Sequence, residues 1–224
     1  MVLFETGIEV VAMGQSADEA AANAAFEVLS SDERGRANRF IVPRDRLRFI
    51  LRRAQLRKLL GERLGIAAAS VRLSLGAHGK PLLARPFDRS GITFNLSHSG
   101  DLCVYAFASR TDVGVDVEMI RVIENADRLA SIAFSKREYE TYESLPASVK
   151  PTGFLNCWTR KEAFVKAIGC GLSRALDSFD VSLVPDEPPR VLRFGTVEGT
   201  SGWEMHSFFP ATGFIAAIAA RAAA

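Results

Sequence analysis

The chain has few of the features that mark secreted, zinc-binding or membrane-inserted proteins. Its three cysteines are an odd number without C-x-x-C spacing, which indicates neither a disulfide framework nor a zinc site. Glu5 interrupts the N-terminal apolar run, so no signal peptide is predicted, and the apolar tail at residues 214–220 is too short to cross a bilayer. We therefore expect a cytoplasmic protein with no membrane partner.

A strong excess of either charge is also missing. The net charge of +2 does not by itself indicate a nucleic-acid-binding protein, and we expect no nucleic-acid partner. The charge is unevenly placed, since eight basic residues between Arg44 and Arg63 are opposed only by Asp45 and Glu62. Such a run is typical of a solvated helix face, but it also suits phosphates or an acidic protein partner, and the sequence leaves both open.

A weak internal repeat organises the 224 residues, which correspond to one large or two small domains. At an offset of about 107 to 110 residues, similar segments recur in the same order. The matched segments are 7–10 with 114–117, 58–61 with 166–169, 71–75 with 179–183, and the hairpin-like segments 92–108 with 202–220.

The repeat predicts an α+β protein of two pseudo-symmetric halves, residues 1–112 and 113–224. Each half would pack one long helix on a small antiparallel sheet, and a ligand would bind in the cleft between them. The alignment sets Val11 opposite Glu118 and Ala54 opposite Glu162, so only the second half keeps the acids. We therefore expect a single site for which the second half supplies the carboxylates.

The long helix of the first half is predicted to begin near Pro43 and to stop at Gly61. Apolar residues recur along it at the i, i+3, i+4, i+7 spacing of a buried stripe. These residues are Leu47, Ile50, Leu51 and Ala54.

Two short segments of the second half carry most of the chemistry. If Gly114–Glu118 (GVDVE) is a strand, Asp116 and Glu118 project from one face. If the segment WTRKEAFVKAIG is a helix, Glu162 and Lys166 share a face at i and i+4. Taken separately, these pairs also fit an exposed strand face and a plain helix salt bridge. Taken together, they predict a cluster of three carboxylates and a lysine.

Three carboxylates without histidine or thiolate favour magnesium or manganese over zinc. Magnesium usually completes its coordination shell with waters and substrate phosphates, so a phosphate-bearing substrate is implied. Lys80 and the pair Ser97 and His98 are candidates for further phosphate contacts. Each has an alternative, since Lys80 also fits an ordinary turn lysine and His98 an exposed histidine without a ligand.

The segments FNLSHSG, GVDVE and WTRKEAFVKAIGCGL together resemble, in order and spacing, the signatures of the 4′-phosphopantetheinyl transferases. The resemblance is to the double-length type that activates peptide and polyketide synthases. The chain meets every fixed position of the pattern W-x-x-K-E-x-x-x-K-x-x-G-x-G-L. The match is looser at residues 31–40 and in the arginine-rich helix, which are similar to the family's region around the nucleotide end of coenzyme A.

The resemblance implies the 4′-phosphopantetheinyl transferase fold and transfer of the phosphopantetheine arm of coenzyme A to a serine of an acyl or peptidyl carrier protein, releasing 3′,5′-ADP. It implies that Asp116, Glu118 and Glu162 hold magnesium against the pyrophosphate. Glu162 is also the candidate base for the carrier serine, and Lys166 would contact the pyrophosphate. Asp116, Glu162 and Lys166 are therefore the expected catalytic residues.

The resemblance further implies that Ser97 and His98 contact the 3′-phosphate, and that Lys80, Arg36 and Arg48 contact the nucleotide end. The basic run would then meet coenzyme A phosphates and the acidic helices of a carrier protein. Because the double-length format places a whole site in one chain, we expect a monomer.

Two functions from other classes compete with this interpretation. A magnesium-dependent nuclease also needs acids and a lysine, but such sites usually place the acid and the lysine two residues apart on a strand. A non-catalytic module that binds coenzyme A or a carrier protein is disfavoured, because a decayed copy would lose its carboxylates first. The sequence does not indicate which carrier protein or pathway is served.

Overall fold

The computed structural model describes residues 2–4, 7–14, 19–76, 78–169, 174–194, 197–198 and 202–222. Its elements fall into two consecutive sets. The first set is β1 (Val2–Leu3), β2 (Glu9–Gly14), α1 (Glu19–Phe26), α2 (Ser31–Ala37), α3 (Pro43–Leu64), β3 (Leu73–Leu75), β4 (Pro81–Leu83), β5 (Ile92–Ser99) and β6 (Leu102–Ser109). The second set is β7 (Val113–Met119), α4 (Ala126–Ala133), α5 (Lys136–Ser144), α6 (Lys150–Ile168), β8 (Phe179–Val181), β9 (Val191–Phe194), β10 (Val197–Glu198), β11 (Trp203–Phe208) and β12 (Phe214–Arg221).

The strands form two principal antiparallel sheets with matching topology. In the first sheet the strand order is β1-β2-β6-β5, and in the second it is β11-β12-β7. Strand β2 of the first set and strand β7 of the second therefore each pair with the last strand of their set, β6 or β12, which in turn pairs with the strand before it. The α+β fold with two pseudo-symmetric halves is confirmed.

Both predicted hairpins are present, and each has a glycine in the left-handed region. Strands β5 and β6 are joined at Gly100, which has a φ of 55°. Strands β11 and β12 are paired from Trp203 with Arg221 to Phe208 with Ala216, and Gly213 ahead of β12 has a φ of 80°. A positive φ is accessible to glycine at little cost, which explains why the turn signals could be recognised in the sequence.

Helix α3 begins with Pro43 in its first turn, as predicted, but the predicted stop at Gly61 is wrong. The helix continues to Leu64, and Gly65 caps it with a φ of 67°. Gly61 is buried, and a Cβ atom there would lie 2.7 Å from the carbonyl oxygen of Ile66. The missing side chain at this position allows the following chain to fold back against the helix.

This correction shifts the predicted alignment of the two long helices by about one turn. Gly65 and Gly169 cap α3 and α6 in the same left-handed conformation and lie 104 residues apart. Lys58, rather than Ala54, therefore stands opposite Glu162. The conclusion that the first half lacks this acid is unchanged, because neither Ala54 nor Lys58 is acidic.

Two apolar faces of α3 hold the first half together. The predicted stripe packs against α1 and α2, with Ile50 and Ala54 buried there. A second set, Leu56, Leu59 and Leu60, packs against the sheet residues Phe94, Cys103, Tyr105 and Phe107. Arg57 is only 2% exposed, so the basic run is not simply a solvated face.

The remaining fold predictions concern cysteines and membrane insertion. Cys103 and Cys157 are buried free thiols, whereas Cys170, Gly171 and Leu172 of the predicted signature lie outside the described residues. Within the described ranges, none of the helices combines the length and the hydropathy needed to span a bilayer.

Candidate active site

The site is built where α6 crosses strand β7, and Gly114 allows this crossing. Residues 114, 116 and 118 alternate onto the face of β7 that carries the acids. A Cβ atom on Gly114 would overlap the backbone of Ala163 and Ala167 on α6. Ala217 and Ala219 of the neighbouring strand β12 are equally small and belong to the core cluster that includes α6. The helix can therefore lie close enough to β7 for its side chains to reach the acids.

Asp116 is the centre of the site. It is 4% exposed, and its Oδ1 atom accepts hydrogen bonds from Lys166 Nζ at 2.6 Å and from Ser97 Oγ at 2.8 Å. Its Oδ2 atom is buried and has no hydrogen-bond partner in the described part of the chain. Burial raises the pKa of Asp116, although Lys166 and Ser97 act in the opposite direction. An unpartnered buried carboxylate oxygen is costly unless a ligand completes its interactions.

Glu118 and Glu162 lie near Asp116, and its negative charge acts on both carboxyl groups. Burial, followed by the negative charge of Asp116, raises the pKa of both carboxyl groups. Ser99 Oγ donates a hydrogen bond to Glu118 at 2.9 Å. Ser99 Oγ also accepts a hydrogen bond from the backbone amide of Met119 at 3.1 Å. The structure thus brings together the three acids and Lys166, which the sequence predicted.

Ser99 was missed by the sequence analysis, although a signal was present. In FNLSHSG, Asn95, Ser97 and Ser99 alternate on one side of β5, toward β7. Asn95 accepts the amide of Val115 at 3.0 Å, while Ser97 and Ser99 bind Asp116 and Glu118. This polar stripe joins the two halves and orients the acids.

The described residues contain no group of three His, Cys, Asp or Glu side chains close enough to hold a metal by themselves. Magnesium does not need such a cage, because it is commonly bound by one or two carboxylates, waters and substrate phosphates. The hard oxygen donors and the free Oδ2 atom of Asp116 fit this kind of site. The magnesium assignment therefore stays a prediction that the donor set permits.

Ser97 and His98, which were predicted to contact the same phosphate, lie on opposite sides of β5. Ser97 Oγ is held between Asp116 and Lys166, with Lys166 Nζ at 3.0 Å. His98 is exposed on the side of α3, near Arg48 and Arg52. Partial desolvation, followed by the positive charges of Arg52, Lys166 and Arg48, lowers the pKa of His98 to about 4. His98 is therefore uncharged at neutral pH.

The other predicted coenzyme A contacts have protein partners. Lys80 Nζ donates to the carbonyl oxygen of Lys166 at 2.8 Å and to that of Val113 at 3.3 Å, so it ties β7 to the end of α6. Burial lowers the pKa of Lys80. Arg48 binds Asp101 in the β5–β6 turn, and Arg36 stacks over Phe49 with its Cζ atom 5.2 Å from the ring centre. Their roles toward a ligand stay predictions.

Cavity size alone does not mark this site. A cavity of about 720 Å³ lies at the other end of β5, β6 and β12, lined by Thr93, Ser109, Asp112 and Arg221 among others. It contains none of the predicted site residues. The chemical character of the β7–α6 crossing, rather than its volume, identifies the candidate active site.

Two family models and several named proteins match this chain. Residues 112–219 match the model of the 4′-phosphopantetheinyl transferase superfamily, and residues 16–110 match that of the 4′-phosphopantetheinyl transferase N-terminal region. The chain is 38% identical over 191 residues to the 4′-phosphopantetheinyl transferase HetI of Nostoc sp., covering 85% of this chain and 78% of HetI. It is 32% identical to the 4′-phosphopantetheinyl transferase Sfp of Bacillus subtilis, covering 70% and 68% of the two chains.

Among solved structures, the holo-[acyl-carrier-protein] synthase of Thermotoga maritima is similar over 49% of this chain and 62% of its own, with 18% identity and a TM-score of 0.36. The family assignment rests on the sequence relatives. These relatives are group-transferring enzymes. The chain belongs to the 4′-phosphopantetheinyl transferase family, and the resemblance noted in the sequence is confirmed.

Proposed function

We propose that this enzyme transfers the 4′-phosphopantetheine arm of coenzyme A to a serine hydroxyl of an apo acyl or peptidyl carrier protein, with magnesium. The observation that carries the proposal is the buried carboxylate of Asp116, which holds Lys166 on one oxygen and leaves the other without a partner among the described residues. A cation and a free carboxylate oxygen side by side suit a metal-bound pyrophosphate.

Asp116, Glu118 and Glu162 would hold the magnesium ion. When bound, magnesium supplies charge neutralisation for the pyrophosphate and for the oxygen that leaves. Lys166 is held in place by Ser97 and Asp116, so its ammonium is positioned toward the same region without further reorganisation.

Glu162 is the base in this proposal. It would take the proton of the carrier serine while the serine oxygen bonds to the phosphorus atom attached to pantetheine. The bond from that phosphorus to the bridging oxygen breaks, and 3′,5′-ADP leaves with the bond's electron pair. Burial and the charge of Asp116 raise the pKa of Glu162, which makes this carboxylate a better proton acceptor than an exposed one.

The direct test is the intact mass of an apo carrier protein after incubation with the enzyme, coenzyme A and magnesium. We expect a gain of one phosphopantetheine group on the wild-type carrier and none on a carrier whose acceptor serine is replaced by alanine. If several classes of carrier gain no mass while coenzyme A still binds, the proposal is wrong, and a non-catalytic binding module is favoured.

The metal ligands can be tested separately from turnover. We expect Glu118→Ala to raise the magnesium concentration needed for half-maximal activity and to weaken Mn²⁺ binding measured by electron paramagnetic resonance. Glu140→Gln on the exposed face of α5 is the control. An unchanged metal titration would remove Glu118 from the ligand set.

We further propose that the chain acts as a monomer, because both halves of the site lie within one chain, and that it works in the reducing cytoplasm, where free thiols such as Cys103 and Cys157 persist. Sedimentation at micromolar concentration, with and without coenzyme A, tests the oligomeric state.

A further inference from the structure

Strand β7, which carries two of the predicted metal ligands, lies at the edge of the second sheet, next to β12. The outer edge of such a strand presents backbone amides that need acceptors from elsewhere. Two of these amides are satisfied by side chains of β5. Asn95 Oδ1 accepts the amide of Val115 at 3.0 Å, and Ser99 Oγ accepts that of Met119 at 3.1 Å. Side chains of the first half therefore close the edge of the strand that carries the acids.

Ser99 also reaches a predicted metal ligand. A serine hydroxyl group has one proton to donate and can accept a further hydrogen bond. In Ser99 the oxygen accepts the Met119 amide, and the proton goes to Oε2 of Glu118 at 2.9 Å. The two hydrogen bonds together fix the direction of the hydroxyl group, which in turn holds the carboxylate of Glu118 by one oxygen. The Oε1 atom is left available to a metal ion, and less side-chain entropy is lost when the ion binds.

The second hairpin, β11 with β12, shows that the scaffold does not require this hydroxyl group. Each hairpin starts after a glycine, Gly91 or Gly202, whose carbonyl oxygen accepts the amide of the residue that follows the opposite strand. Counted from these glycines, the position of Ser99 is taken by Pro210 in the second hairpin. Proline has no hydroxyl group, so the equivalent hairpin forms without one. The placement of Ser99 beside Glu118 therefore points to the site rather than to the hairpin.

We propose that Ser99 is a positioning residue that strengthens divalent-metal binding by holding Glu118 in the orientation of a ligand. This inference rests on the proposed function, in which Glu118 is a magnesium ligand. Ser99 acts through Glu118 and is not itself a ligand, because its proton is committed to the carboxylate and its oxygen to the Met119 amide. The first half, which lacks the acids, thereby contributes to metal affinity.

The test is a double-mutant cycle on Mn²⁺ affinity, measured by electron paramagnetic resonance with coenzyme A present. We expect Ser99→Ala to weaken Mn²⁺ binding by roughly tenfold, the effect of losing a hydrogen bond that orients a metal ligand. In a Glu118→Ala background the same substitution should have no further effect, because the group that it positions is gone. Ser109→Ala, at an exposed position of the same hairpin, should leave Mn²⁺ affinity unchanged in both backgrounds.

A conservative variant separates the hydroxyl group from the packing of the side chain. Ser99→Thr retains the hydroxyl group and should bind Mn²⁺ nearly as tightly as the wild type. The inference is wrong if Ser99→Ala weakens Mn²⁺ binding equally in both backgrounds, if it has no effect in either, or if Ser99→Thr binds as weakly as Ser99→Ala.

Failure of the proposed function would be seen in other samples. If the wild type does not bind Mn²⁺ with coenzyme A present, or if Glu118→Ala binds it as tightly as the wild type, the metal site of the proposed function is wrong and the role of Ser99 is overturned with it. A loss of the Ser99 effect alone leaves the metal site intact.

Discussion

The two halves of the molecule keep the same internal scaffold. In each half a serine begins a short helix through a capping box, Ser30 with Glu33 in α2 and Ser135 with Glu138 in α5. Each of these glutamates also forms a salt bridge with a basic residue on the long helix that follows. The two pairs are Arg57 Nε with Glu33 at 2.6 Å and Lys161 Nζ with Glu138 at 2.7 Å.

These two basic residues, Arg57 and Lys161, also make equivalent hydrogen bonds to the backbone. Arg57 donates to the carbonyl oxygen of Val71 at 2.8 Å, and Lys161 donates to that of Phe179 at 2.6 Å. In each half, the salt bridge between the glutamate and the basic residue thus connects a short helix, a long helix and the chain that leads into a small sheet. Its recurrence is stronger evidence for a structural repeat than the weak sequence identity is.

The halves differ at the seam between β5 and β7. Strand β7 and helix α6 contribute the acids Asp116, Glu118 and Glu162 at this seam, whereas β5 contributes the uncharged side chains Asn95, Ser97 and Ser99. The internal scaffold contacts are retained in both halves, while the residues at the seam differ in charge. A single composite site thus arises from two similar units, with the acids on one side of the seam and the serine hydroxyls that donate to Asp116 and Glu118 on the other.

The largest effect is expected from a change that separates α6 from β7. Gly114→Ala should lower the free energy of unfolding by about 3 kcal/mol or more, because the new Cβ atom would meet helix backbone rather than a movable side chain. Urea denaturation measures the change. The control is Gly35→Ala, on an exposed position of α2 with open space around it, which should be neutral or slightly stabilising. Equal stabilities of the two variants would show that α6 has room to move.

Loss of the basic residue should not destabilise the two halves equally. Lys161→Met leaves Glu138 buried without a counter-charge and should cost about 3–5 kcal/mol. Arg57→Met should cost less, because Glu33 keeps Arg53 as a partner at 3.4 Å. Thermal and urea unfolding of both variants test this order. The reverse order would mean that the equivalence of the two pairs does not extend to their energetics.

Replacing the proposed general base should reduce turnover without weakening coenzyme A binding. Glu162→Gln should reduce turnover by roughly 10²–10⁴-fold, the contribution of a general base, while coenzyme A affinity stays close to that of the wild type. Single-turnover mass measurements and calorimetry separate the two quantities. Wild-type turnover in this variant would exclude Glu162 as the base.

The smallest expected effect is a change in the titration of His98. Its proton NMR signals, assigned with His98→Asn, should titrate near pH 4 in the free enzyme because partial desolvation, followed by the nearby cations, disfavours imidazolium. Adding 3′,5′-ADP should raise this pKa, since a bound phosphate supplies negative charge. A midpoint close to the ordinary histidine value of 6.5 in the free enzyme would show that neither desolvation nor the nearby cations act on His98 as the structure indicates.

Patterns within one element were predicted from the sequence with success. The spacing of Asp116 and Glu118, and of Glu162 and Lys166, correctly placed each pair on one face. The start of α3 at Pro43 and both hairpins were also correct. Helices α1, α2, α4 and α5 were not predicted, and the α3 stop was misplaced because a buried glycine inside a helix cannot be distinguished locally from a terminal one.

The sequence by itself determined the family, the acid-lysine cluster and the repeat of α+β units, because these depend on residue identity and on spacing along a strand or helix. The tertiary structure decided what those side chains contact. It turned Ser97 toward Asp116 and His98 toward α3, and it directed Lys80 to backbone carbonyls. These outcomes depend on how closely elements distant in sequence can pack, which local spacing does not encode.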